Sequence, residues 1–102
     1  DMYINTAQEI SGIPSSWPGY TLENGSSGSK VLQMQEQLNV IAGAYPVIPK
    51  VDADGIYGPR TEASVRKFQE VFGLPQTGKV DYRTWYKISE VYVGVSRIAE
   101  LV

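Results

Sequence analysis

Apolar residues recur at helical spacing in three stretches of the chain. Val31, Met34, Leu38 and Ile41 share one stripe and predict an amphipathic helix over about residues 28–42, closed by Gly43. Val65, Phe68 and Phe72 form the buried face of a second helix, which opens at Pro59 and stops at Gly73. Trp85, Ile88, Tyr92, Val95, Ala99 and Val102 alternate at spacings of three and four, a long third helix capped by Asp81 and crossed by Gly94. A weaker pattern, Tyr3, Ile4, Ala7 and Ile10, predicts a short N-terminal helix over residues 3–11, ended by Pro14.

Between these stripes the chain is punctuated by proline and glycine. Residues 13–20 hold Pro14, Pro18 and Gly19 and read as an irregular connector. Residues 23–29 read as a turn that offers Ser26 or Ser27 as the hydroxyl N-cap of the first helix. Residues 45–57 carry Pro46, Pro49 and Gly55 and predict a loop with a short extended pair, and residues 74–80 a loop around Gly78. The expected fold is mainly α: a small three-helix core with long ordered loops, a short N-terminal helix and an extended C-terminal helix. All of residues 1–102 form one domain, as the length allows.

One internal echo adds to the pattern. Val31, Met34, Gln35, Glu36 and Leu38 recur a third of the chain later as Val65, Phe68, Gln69, Glu70 and Phe72. Each glutamine directly follows a core apolar residue, at the edge of the buried stripe. An amide there is expected to bond loop backbone, because leaving it unmatched costs about 1–3 kcal/mol.

Composition narrows the chemistry. The 102 residues include no histidine and no cysteine. That removes His/Cys zinc ligation, Cys–His and Ser–His nucleophile pairs and disulfides. A net charge of -2 without a Lys/Arg cluster argues against nucleic acid as a partner. No apolar run reaches the roughly 20 residues that span a bilayer, so no membrane partner is expected. The chain begins at Asp1 and reads as a piece excised from a longer protein. Asp52, Asp54 and Gly55 suggest a calcium loop, but aligning Gly55 with the loop's sixth position puts Lys50 first and Thr61 last, and the test fails. No metal or cofactor is expected. The acidic residues also form no dedicated acid/base pair, so no catalytic residue is assigned and the chain is not expected to be an enzyme.

The remaining candidates have scaffold readings. Asp54 and Gly55 make a tight turn, Gly58 lets Pro59 open the helix, and Tyr57 is an anchor between them. Thr61 and Thr84, in the first turns of their helices, are expected to cap orphan N–H groups. Trp85 and Phe68 face the core, whereas Tyr57, Tyr82 and Tyr86 are expected to be partly exposed. Trp17 and Tyr20 are either a lid on the core or a platform of rings.

Three segments in order, G-S-S-G-S-K-V-L-Q-M-Q-E-Q-L (25–38), D-G-I-Y-G-P-R-T-E-A-S-V-R-K-F-Q (54–69) and G-L-P-Q-T-G-K-V-D-Y-R-T-W (73–85), resemble the helical peptidoglycan-binding domain of bacterial cell-wall hydrolases. The resemblance covers residues 22–88; residues 1–20 and the helix extension at 89–102 lie outside it. Ser64 stands where the family has alanine, Met34 where it has leucine, and the loop at 43–51 is longer than in many members. The resemblance implies a non-catalytic module that binds bacterial peptidoglycan and tethers a covalently linked catalytic domain at the cell wall, outside the cell. It implies a groove at Asp54, Gly55, Tyr57, Gly58, Thr61, Gln69, Tyr82 and Trp85. The alternative is a protein-interaction or autoregulatory domain, since similar domains form the pro-segments of matrix metalloproteinases. Those act through a cysteine on zinc, which this chain lacks.

Overall fold

The computed structural model describes residues 17–101, with side chains to residue 96. Three helices follow in order: α1 (Ser29–Ala44), α2 (Pro59–Val71) and α3 (Tyr82–Leu101). Two isolated antiparallel bridges, Leu22 with Val80 and Ser27 with Ile56, are the extended pairing among the described residues. The extended pair expected within residues 45–57 therefore forms differently: Ile56 pairs with Ser27, across the chain. The helix expected over residues 3–11 and the side chains of Ala99 and Val102 lie outside the described residues.

The predicted stripes are the core. Val31, Met34, Leu38 and Ile41 of α1, Val65 and Phe68 of α2, and Trp85 and Ile88 of α3 are all buried. α1 packs on α3. Leu22, Ile48, Tyr57 and Val80 from the loops complete the same cluster. Phe72, Val91 and Tyr92 are half-buried against it. Trp17 settles as a lid: its ring meets Trp85 and Tyr82 edge-on, each with centroids 6.0 Å apart. Tyr20 is exposed.

Helix ends follow local chemistry, with two departures from expectation. α2 stops as predicted. Gly73, at φ 74, donates to Glu70 O and Leu74 donates to Gln69 O, the paired bonds of a Schellman turn. Asp81 caps α3 by accepting the Thr84 N–H at 2.9 Å. An Asp81→Ala variant should lose about 1 kcal/mol of unfolding free energy, measured by urea denaturation. The first departure is at α1, which has no side-chain cap: its N-cap is Gly28 at φ 123. The Ser26 hydroxyl instead accepts the Glu23 N–H, within a tight 23–26 turn. Backbone pairing explains this, since Ser26 O and Gly28 N–H are engaged by Tyr57 and Gly55. The second departure is Gly43, which lies inside α1 rather than closing it. The helix ends at Ala44 because Tyr45, preceding Pro46, turns away from helical geometry.

Candidate functional site

The two glutamines of the internal echo each organise a loop. Gln35, fully buried, accepts the Asp54 and Gly55 N–H groups on Oε1, at 3.1 and 2.8 Å. Its Nε2 donates to Ile56 O, Asp54 Oδ1 and Thr61 Oγ1. Gln69 repeats the arrangement: Oε1 accepts the Gly78 N–H, and Nε2 donates to Lys79 O, Thr77 Oγ1 and Thr84 Oγ1. In both cradles the residue before the glycine closes a small turn with its own side chain. Asp54 Oδ1 accepts the Ile56 N–H, and Thr77 Oγ1 accepts the Lys79 N–H. Each threonine follows its turn glycine at the same spacing, and each receives the glutamine amide instead of capping its helix. That corrects the capping expectation for Thr61 and Thr84: the buried amide divides its N–H groups between the loop acceptors and the threonine hydroxyl, which is thereby engaged inside the core.

The segment at residues 22–28 ties the cradles together. Leu22 exchanges two backbone bonds with Val80 beside the second turn, and Gly25, Ser26 and Gly28 bond Tyr57 and Gly55 at the first. Tyr57 bridges the repeats directly, its hydroxyl donating to Gly78 O. Tyr57 is buried rather than partly exposed as expected, since that carbonyl gives its hydroxyl a partner inside the core. Burial, with a smaller contribution from the Glu62 carboxylate, pushes the Tyr57 phenol well above its ordinary pKa, so it stays protonated and keeps donating.

Beside the first cradle lies an open groove of about 380 Å³. Val51, Asp52, Asp54 and Ile56 line it from the loop, and Gly58, Pro59, Arg60 and Thr61 from the entry and first turn of α2. Both walls are fixed from behind. Asn39 of α1 grips Val51 by two bonds of 2.8 Å, one to its carbonyl and one from its N–H. Gln35 holds residues 54–56, and the Ser64 hydroxyl donates to Pro49 O. Ile56, held by its backbone only, leaves 60% of its surface exposed.

Of the residues singled out from the sequence, Asp54, Gly58 and Thr61 line this groove. Gly55 is buried under it: at φ 77, a Cβ there would meet Gly28 O at 3.3 Å. Gln69 belongs to the second cradle, and Trp85 is 1% exposed in the core. Tyr82 is exposed, but at the start of α3 against Trp17. Sequence reasoning missed Asp52, Ile56 and Arg60 as groove residues. An apolar side chain inside the tight Asp-Gly-Ile-Tyr-Gly turn was the available signal, since turns favour small and polar residues. Among the described residues, no group of three or more acidic side chains is placed to hold a metal ion.

The fold and its paired cradles define a small helical domain built from two like halves, with its open groove at one of the loops. Residues 27–88 match the peptidoglycan binding domain family, a span that holds both cradles and the groove, and the chain belongs to that family. A zinc D-Ala-D-Ala carboxypeptidase from Streptomyces albus G is 37% identical over 75 residues, which are 74% of this chain and 28% of that enzyme. An uncharacterized protein in the bpoA1 3' region of Kitasatospora aureofaciens is 35% identical over 80% of this chain and 64% of its own length. The crystal structure of the SleB N-terminal domain superposes with a TM-score of 0.60 at 29% identity, covering 71% of this chain and 92% of that one. The chain thus spans less than two thirds of the length of either sequence relative.

Proposed function

We propose that this domain is a non-catalytic binding module that holds a linked catalytic domain against bacterial peptidoglycan, outside the cell at the wall. The match to the peptidoglycan binding domain family over residues 27–88 carries the reading. Three further observations support it. The carboxypeptidase relative extends far beyond the matched region, which leaves room for chemistry in a separate domain. The sequence has no histidine or cysteine to serve as nucleophile or base. Asp54, one of the two groove carboxylates, already accepts from the Ile56 N–H and from Gln35, and so acts as a turn holder.

The benefit of such a module is concentration. A tether turns encounter with the wall into an intramolecular event and raises the effective substrate concentration without new chemistry. Sedimentation with insoluble peptidoglycan tests the proposal. The folded 102-residue chain is expected in the pellet and the urea-unfolded chain in the supernatant. Equal recovery of the two, or no recovery of the folded chain, overturns it.

A further inference from the structure

We infer that the groove at residues 51–61 recognises the peptide portion of the wall polymer, a short peptide bearing ionised carboxylates and an amine, and not its sugar chain. The inference rests on the reading that this domain binds peptidoglycan, and it names the part that is bound.

The lining decides between the two. Sugar rings find their natural platform on exposed aromatic faces, and none of the eight residues lining the groove is aromatic. The exposed rings Tyr20, Tyr45, Tyr82 and Tyr86 lie outside it. The groove instead offers charges of both signs beside an apolar wall. Among the described residues, ion pairs join Arg66 with Glu62, Lys67 with Glu70, Lys79 with Glu23 and Lys87 with Glu90. Arg60 and Asp52 take part in none of them, although both line the same groove. A guanidinium without a partner presents a planar fork that matches a carboxylate with two parallel bonds, a geometry no sugar hydroxyl reproduces. Asp52 supplies an acceptor for an ammonium group. Ile56 is an apolar surface for the intervening methylenes, left bare by a turn whose backbone is fully engaged.

Rigidity strengthens the case. Val51 and residues 54–56 are clamped by Asn39 and Gln35, so the positions that flank the charges need no ordering when a ligand arrives. The volume of about 380 Å³ falls within the range of small-ligand clefts, enough for a segment of peptide.

Competition against insoluble peptidoglycan tests the inference, with two soluble probes: the stem tripeptide L-Ala–γ-D-Glu–diaminopimelate and peptide-free glycan strands whose lactyl carboxyl groups are blocked as simple amides, as the peptide blocks them in the wall. The tripeptide is expected to displace the domain and the glycan strands are not. Arg60→Gln is expected to weaken retention about tenfold, with the thermal unfolding curve unchanged because Arg60 is exposed and takes part in none of the ion pairs among the described residues. Asp52→Asn should weaken it in the same direction. Displacement by glycan strands alone, or parental binding by both variants, overturns the peptide assignment while leaving peptidoglycan binding intact. Failure of the parent domain to bind peptidoglycan at all overturns the functional reading, and this inference falls with it.

Discussion

Replacing Gln69 with leucine lowers the unfolding free energy by about 3 kcal/mol, although leucine is close in size and apolar. The side chain is 1% exposed and its amide serves four groups of one loop and one helix. Leucine leaves the Gly78 N–H and the Thr84 hydroxyl inside the protein without their partner. Each buried orphan costs about 1–3 kcal/mol, which outweighs any gain from removing a polar group from the core. Gln35→Leu should cost about the same, because the Gly55 N–H and the Thr61 hydroxyl are left in the same position. For a domain whose total stability is of order 5–15 kcal/mol, either loss is a large fraction. Urea denaturation followed by tryptophan fluorescence measures both. A parental midpoint for either variant would mean the cradles are incidental to stability.

Trp85→Ala is expected to be at least as damaging, at about 3–5 kcal/mol. Trp85 heads the fully buried side chains in size, and its ring lies under Trp17 with centroids 6.0 Å apart. Truncation removes the transfer free energy of the indole and leaves a cavity that helices α1 and α3 cannot fully close. It also strips Trp17 of the surface it covers. Calorimetric unfolding of the variant should show a depressed midpoint. A change below about 1 kcal/mol would place the ring at the periphery of the core instead of its centre.

The residues that made this fold legible were those under periodic constraint. Spacings of three and four located all three helices, because one buried stripe suffices to orient a helix and tertiary packing only had to accept it. The recurrence of glutamine after a core residue implied amides bonded to loop backbone, since a buried amide must find partners, but not the two cradles those bonds build. Turns carry no such period. Tyr57 sits in a turn, and nothing local shows that Gly78 O waits for its hydroxyl from a loop distant in the chain. Ser26 was a sound cap by its identity, yet long-range pairing with Tyr57 had a stronger hold on that backbone. The groove was half legible for the same reason. Asp54, Gly58 and Thr61 belong to a recognisable motif, whereas Asp52 and Arg60 look like ordinary surface charges until the fold places them in one cleft, outside the ion pairs among the described residues.

Titration of the isotope-labelled chain with soluble peptidoglycan fragments, followed through backbone amide NMR shifts, tests most directly whether this groove is where the wall is bound. Shifts concentrated on the amides of residues 51–61, with the second cradle around Gly78 and the exposed rings of α3 little changed, are the predicted result. Shifts centred on Tyr82 and Tyr86, or none at saturating fragment, would contradict it.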